Sequence, residues 1–258
     1  MVAGLAAPTL LVVAAVVLVA GAINGVAGFG FALVGTMALA TAVDPALAVV
    51  FMIVPILGVN LALVRELSAD GLGRCARRFW PLVAAALVGT LLGLVAVNGV
   101  ETGPLRVALG VLSLAFVATA QDAVPLPGRR AVEDRCFVEN GAAMAGVGLV
   151  SGVVFGGTNV GVQLIAYLRS CDLPHATFVG VVAMVFLGLN GVRVVAAGAL
   201  GLYPGAAAAL ASLAATGPAV VGVAAGKRLR SRVPERWRRR VVLSLLTAVG
   251  VRLVLAGL

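Results

Sequence analysis

The sequence predicts an all-α fold, that of a polytopic helical membrane protein. Apolar residues make up 62% of the 258-residue chain and charged residues only 11%, whereas a soluble domain carries about 25% charged residues. Several apolar runs approach the length of about 20 residues that a membrane span needs. The runs lack the period-two alternation of a barrel strand, so helices must satisfy the backbone within lipid. The lipid bilayer is therefore the first expected partner.

A glycine-rich stretch, residues 21–30, returns at a constant offset as residues 148–157. Further matches follow in the same order along the chain. The matched residues are Gly21 with Gly148, Asn24 with Ser151, Gly25 with Gly152, Gly30 with Gly157, Asn60 with Asn190, Gly89 with Gly222, and Gly93 with Gly226. This order indicates one unit used twice, with residues 1–120 as the first repeat, 121–140 as a polar cytoplasmic linker and 141–258 as the second repeat.

Each repeat is expected to hold a helix pair broken at glycines, followed by three further spans. The predicted segments are 10–43, 46–64, 81–97 and 105–120 in the first repeat, and 141–167, 176–197, 205–225 and 241–255 in the second. The arginine-rich segments 65–79 and 227–240 are expected to be loops. Asp44 and Asp172 each precede a span and are expected to cap it. No Lys or Arg precedes the first apolar run, as a secretory signal would require, so the first helix is expected to be retained.

The distribution of Lys and Arg predicts the orientation of the chain. Alternating the spans places 16 of the 19 Lys and Arg on one side of the membrane, which by the positive-inside rule is the cytoplasm. The basic loops are then cytoplasmic, both termini are external, and the two repeats are inverted in a multi-pass protein of the cytoplasmic membrane. The net charge of +9 is explained by these loops, and aromatic residues are only 5%, so no nucleic-acid partner is expected.

Inverted repeats with broken helices are typical of secondary transporters, whose sites lie where the repeats meet. A half-helix that begins after such a break directs free N–H groups and a positive dipole end at the cavity, which favours an anion. We therefore expect a substrate site that comprises Asn24, Gly25, Gly28, Gly30, Asn60, Ser151, Gly152, Gly156, Gly157, Thr158, Asn159 and Asn190. Close helix packing is the competing interpretation for the glycines, and hydrogen bonding between helices for the asparagines. Arg193 lies near the outer end of its span and is expected to extend to the interface.

Other chemistry is not visible in the sequence. The single His leaves no plausible Ser-His-Asp arrangement, and Gly226-Lys227 lacks the spacing of a phosphate-binding loop. We therefore expect that the protein is not an enzyme and that it binds no cofactor and no metal. Energy would come from the gradient of a coupling ion, a proton or sodium, or from the gradient of the substrate.

The glycine-rich residues 21–30, their second copy at 148–157 and the segment 222–228 before the last helix resemble the sulfite exporter TauE/SafE family, also called the toluene sulfonate uptake permease family, over nearly the whole chain. The resemblance implies a permease that moves sulfite, sulfonates or related organosulfur anions, here by alternating access. Two alternatives stay open: a passive anion channel with the same pore, and a non-transporting membrane assembly factor or membrane-embedded enzyme.

Overall fold

The computed structural model describes residues 7–27, 30–64, 69–120, 141–170, 175–230 and 232–258. These residues form helices and no strand, which confirms the all-α fold. In chain order the helices are α1 (Ala7–Ala27), α2 (Phe31–Ala40), α3 (Pro45–Val64), α4 (Ala69–Val97), α5 (Thr102–Ala120), α6 (Gly141–Thr158), α7 (Val162–Ser170), α8 (His175–Ala199), α9 (Ala206–Leu229) and α10 (Glu235–Gly257). Six of them are long and apolar enough to cross a membrane, so the prediction of a polytopic membrane protein is also confirmed. The predicted linker, 121–140, lies outside the described residues, and the division at that linker stays a prediction.

Two of the helices, α2 and α7, are too short to cross a bilayer. They contain 10 and 9 residues, so each is at most about 15 Å long against a hydrocarbon core of about 30 Å. Helix α2 folds back along α1, because Gly35 faces Ala20 and the Phe31 N–H donates to Asn24. The first pair is thus one long helix followed by a returning half-helix. Helix α1 continues to Ala27, α2 begins at Phe31, and the second break spans residues 159–161. Each break therefore follows glycines that remain helical.

Those helical glycines hold the two halves together. Helix α1 of the first half packs most extensively against α9 of the second, and α6 of the second half against α4 of the first. A methyl group added at any of five glycines of α1 and α6 would collide with a main-chain carbonyl of the facing helix. These pairs are Gly21 with Ala219, Gly25 with Val223, Gly148 with Leu82, Gly152 with Ala86, and Gly156 with Thr90. Small residues allow backbones to approach in this way where lipid supplies no hydrophobic driving force.

The order of these contacts fixes helix directions. From one contact to the next, the residue number rises by four on both helices of a pair. Helix α1 therefore runs parallel to α9, and α6 runs parallel to α4. Ser212 and Thr216 of α9 contact Phe51 and Gly58 of α3 in the same order, so α3 also runs parallel to α9. Only four residues separate α3 from α4, and four residues reach at most about 14 Å, less than the hydrocarbon core of about 30 Å, so these two consecutive membrane-crossing helices run in opposite directions. Helices α1 and α6, which begin the two halves, therefore run in opposite directions, as inverted repeats require.

The arginine-rich segments are more helical than the sequence predicts. Helix α4 begins at Ala69, within the predicted loop 65–79, while α9 continues to Leu229 and α10 begins at Glu235, within the predicted loop 227–240. The loop predictions were wrong for these residues because Arg, Lys and Glu are good helix formers, and a helix continues into water where its charged side chains are solvated. The sidedness of these segments stays a prediction.

The predicted cap of α3 is confirmed. The Leu47 N–H donates to Asp44 Oδ1 at 3.1 Å, which satisfies one of the donors that a helix start leaves unpaired. Its counterpart, Asp172, lies outside the described residues.

We expect Gly152→Ala to destabilise the protein by about 1–3 kcal/mol, because the added methyl group meets the α4 backbone, which has little freedom to move. Gly146 lies on the same helix with open space around it, so Gly146→Ala is the matched control and should be neutral or stabilising by about 0.5–1 kcal/mol. Thermal unfolding of the purified proteins in detergent measures both. Equal stability of the two variants would show that the crossing tolerates a side chain.

Candidate anion site at the second helix break

The second break begins at Asn159, which ends α6 in a left-handed conformation. Its φ is 60°, and among the described residues other than glycine it alone has a positive φ. Asparagine accepts this conformation more readily than most residues and often follows a helix end for that reason. The Asn159 N–H still donates to the Phe155 carbonyl at 2.8 Å, so the turn closes the helix without losing that bond. The half-helix α7 then starts at Val162.

The Asn159 side chain connects the two halves of the protein. Its Nδ2 donates to Thr36 Oγ1 at 2.9 Å and to the Val49 carbonyl at 3.0 Å, both in the first half. Its Oδ1 accepts a bond of 2.5 Å from Arg193 Nη1, in the second half. All three side-chain bonds of this fully buried residue therefore cross between elements, which places Asn159 at the meeting point of α2, α3 and α8.

Arg193 is fully buried, so the prediction that it extends to the interface was wrong. Its exposed fraction is 0%, and it lies within the apolar span Val181–Ala199 of α8. Besides Asn159, it donates from Nη1 to Asn190 Oδ1 at 3.2 Å and from Nη2 to the Gly156 carbonyl at 3.0 Å. The physical reason is that neutral oxygens from two helices and the break surround the guanidinium in the interior, where it exchanges water for fixed acceptors.

An aromatic pair supports the guanidinium from one face. Arg193 Cζ lies 5.0 Å from the centroid of the Phe155 ring, within the distance at which the negative face of a ring attracts a cation. Phe155 in turn packs against Phe186 with the ring centroids 5.0 Å apart. Gly161, at the end of the break, faces the Phe186 ring, so the break and the aromatic pair position one another.

The charge of Arg193 has no compensating carboxylate in the part of the chain that the structure describes. Its hydrogen-bond partners are two amide oxygens and one main-chain carbonyl, and its Nε has no partner. A buried cation is normally paired with an anion, because neutral acceptors do not cancel its charge. The guanidinium therefore keeps an unpartnered N–H at Nε and a positive charge that no described carboxylate offsets.

Helix α3 presents three consecutive carbonyls beside this site, and each accepts a bond from the second half. Pro55 lies inside α3 and has no N–H, so it leaves the Phe51 carbonyl without its helical donor. Ser212 Oγ donates to that carbonyl at 2.6 Å, and Tyr203 Oη donates to the Val50 carbonyl at 3.2 Å. Asn159 takes the third carbonyl, that of Val49. Burial raises the pKa of the Tyr203 phenol, against the opposing effects of Ser212 and Arg193, so the phenol remains a donor.

Comparison with known proteins decides the family. The model of the family described as sulfite exporter TauE/SafE matches residues 13–253, nearly the whole chain. The chain belongs to the sulfite exporter TauE/SafE family. This family consists of membrane transporters rather than enzymes, as the sequence predicts. No curated protein and no solved structure matches the chain.

Within this TauE/SafE chain, the structure brings only part of the predicted site together. Gly156, Asn159 and Asn190 bond Arg193. Thr158, beside Asn159, donates to the Val154 carbonyl, and Gly157 lies at the crossing with α4 near Gly93.

The other predicted residues lie elsewhere in the fold. Gly25 and Gly152 are crossing glycines, and Ser151 is buried in α6. Asn24 accepts from the Phe31 N–H at 3.2 Å, next to Gly30 with its φ of 101°. Asn60 is half-buried, ten residues beyond Val50 on α3, which is about 15 Å of helix rise. Gly28 lies outside the described residues. Substrate binding by these residues stays a prediction.

Four residues of the site were not predicted: Arg193, Thr36, Tyr203 and Ser212. Arg193 was weighed and set aside because its position near a span end suits an interfacial side chain. Thr36 lies in the apolar half-helix α2 and accepts from Asn159. For Ser212 the sequence holds one usable signal, because a proline inside a span, here Pro55, requires an outside donor for the carbonyl four residues earlier. No such signal exists for Tyr203, which bonds the Val50 carbonyl.

We expect Ser212→Ala to cost about 1–3 kcal/mol of stability, because the Phe51 carbonyl is left buried without a donor. Ser113→Ala is the matched control, since Ser113 Oγ donates to the Leu246 carbonyl of a facing helix at 2.9 Å and that helix has an N–H at Gly250 for the same carbonyl. Thermal unfolding of each variant, with and without Pro55→Ala, gives the comparison. If Pro55→Ala leaves the cost of Ser212→Ala unchanged, the missing N–H is not what Ser212 compensates.

Proposed function

We propose that the chain is a secondary transporter that moves small anions, namely sulfite, sulfonates and related organosulfur compounds, across the cytoplasmic membrane by alternating access. The observation that supports this most directly is the buried Arg193 guanidinium, which lies at the second helix break without a carboxylate partner among the described residues. Ionisable residues inside a membrane domain are costly and usually mark a substrate path. A small anion would supply the missing countercharge.

The half-helix α7 adds to the attraction for an anion. It begins at Val162, three residues after Asn159, and the first N–H groups of a helix have no acceptor within it. The dipole of the helix places partial positive charge at the same end. We propose that this end and Arg193 act on the same bound anion. Gly156, Gly157, Thr158, Asn159 and Asn190 would form the wall of the site.

The opposed direction of the two halves supports alternating access. Two inverted copies of one packing unit can exchange conformations and thereby open a central site to either side. In this proposal Asn24, Gly25, Gly28, Gly30, Asn60, Ser151 and Gly152 belong to the surfaces that repack during the exchange. A coupling ion, a proton or sodium, would drive the cycle. The basic loops would face the cytoplasm and both termini the exterior, in accord with the 16 of 19 Lys and Arg that this arrangement places inside.

Uptake of labelled sulfite and methanesulfonate into proteoliposomes tests the proposal. We expect saturable uptake that responds to a proton or sodium gradient and shows counterflow, and Arg193→Gln should reduce it by at least about tenfold because a charge-assisted contact to the anion is lost. Arg252→Gln is the matched control, since Arg252 is exposed on α10. Uptake without saturation or counterflow would indicate the channel alternative, and wild-type uptake by Arg193→Gln would refute the role of the guanidinium.

We expect Asn190→Asp to abolish uptake while the protein stays folded, because the new carboxylate would pair with Arg193 Nη1 and take the place of the anion. Asn190 Nδ2 donates to the Phe186 carbonyl, four residues earlier, at 2.8 Å, and Asn98 Nδ2 makes the same bond to Leu94 at 2.8 Å on an exposed helix end. Asn98→Asp is therefore the matched control and should keep full uptake. The measurement is uptake beside thermal unfolding of both variants. Full uptake by Asn190→Asp would contradict anion binding at Arg193.

A further inference from the structure

Arg193 keeps two N–H groups available for a ligand. A guanidinium carries five N–H donors. Nη1 donates to Asn159 and Asn190, Nη2 donates once to Gly156, and Nε has no partner. The protein side of the site, as far as the structure describes it, therefore leaves the Nε–H and one Nη2–H unused.

These two donors belong to neighbouring nitrogens of one rigid plane. If the Gly156 carbonyl accepts from the Nη2–H that faces Nη1, the two unused N–H groups form a parallel fork. Such a fork matches two oxygens on a single carbon, sulfur or phosphorus atom, which makes recognition geometric as well as electrostatic. The N–H donors point outward in the plane of the guanidinium, so a ligand that uses both approaches within that plane, while the Phe155 ring centroid lies 5.0 Å from Cζ. A halide ion, which has one centre, cannot use both donors equally well.

The charge of the site limits the charge of the ligand. Arg193 is the one charged side chain in the buried part of the described structure, and all its protein partners are neutral. A monoanion would neutralise it. A dianion would leave one negative charge in the low-dielectric interior without a partner, which is strongly unfavourable.

We propose, on the basis of the function proposed above, that Arg193 binds one oxyanion group through Nε and Nη2 and selects anions with a single negative charge. The site would then accept hydrogensulfite and sulfonates, and would discriminate against the sulfite dianion, sulfate and chloride. Asn159 and Asn190 are positioning residues in this scheme, because their bonds to Nη1 turn the opposite edge of the guanidinium toward the ligand.

Titration calorimetry on the purified full-length protein tests the selection without measuring transport. Methanesulfonate keeps one negative charge at every pH used, so its affinity should stay constant. The affinity for total sulfite should fall as rising pH converts hydrogensulfite to the dianion. Sulfate and chloride should bind at least about tenfold more weakly than methanesulfonate, the loss expected for one unmatched charge or charge-assisted bond.

Arg193→Lys keeps the charge and removes the fork. It should lose the preference for methanesulfonate over chloride, while Arg252→Lys should retain it. Sulfate binding as tight as methanesulfonate, or a sulfite affinity that is independent of pH, would overturn the charge selection and leave anion transport standing. Equal chloride and methanesulfonate binding by the wild type would overturn the two-oxygen contact. Gradient-driven uptake without any binding that depends on Arg193 would refute this inference alone, whereas the absence of both binding and uptake would refute the proposed function as well.

Discussion

Every polar group inside this bundle must find its partner within the protein, because a bilayer core offers no water. The structure meets this constraint at three kinds of place. Asn24 accepts from the N–H that opens α2, Ser212 donates to the carbonyl that Pro55 leaves unpaired, and Asn159 bonds both halves at once. Arg193 is where the described residues meet it least completely, since acceptors are supplied but a countercharge is not. Other buried polar atoms also lack a hydrogen-bond partner, among them Thr90 Oγ1 and Gln163 Oε1, but Arg193 is the buried side chain of the described residues that carries a charge.

The two helix breaks differ in how the side chain of an asparagine is used at the start of the half-helix. In the first repeat the break ends in a glycine with positive φ and is closed by a side-chain amide, so its half-helix begins already capped. In the second repeat Asn159 follows α6 with a positive φ. Its side chain forms hydrogen bonds to α2, α3 and Arg193. Three residues after Asn60 the first repeat has Leu63, where the second has Arg193 three residues after Asn190. The repeated pattern therefore extends to the helix breaks and the asparagines, but the charge of Arg193 occurs in the second repeat alone of these two positions.

Much of the fold could be predicted from the sequence, and the reasons are local. Long apolar runs and the recurring glycines depend on composition and spacing alone, and the structure pairs Gly89 and Gly93 with α6 and Gly222 and Gly226 with α1. The site could be predicted only in part. Arg193 is 34 and 37 positions from two of its acceptors, and no pattern along α8 distinguishes a buried arginine from one that reaches the interface. The helical residues of the arginine-rich segments were predicted as loops, because their charge was taken to indicate a loop.

The proline in α3 also has a consequence for how the chain is made. Phe51 and its donor Ser212 are 161 residues apart in sequence, so the first half must be synthesised and inserted before the hydroxyl that completes α3 exists. Until α9 packs against α3, the Phe51 carbonyl lacks its hydroxyl donor, and an unpaired carbonyl is costly inside a membrane. The hydrogen bonding of α3 is therefore completed late in biogenesis, when α9 of the second half packs against it.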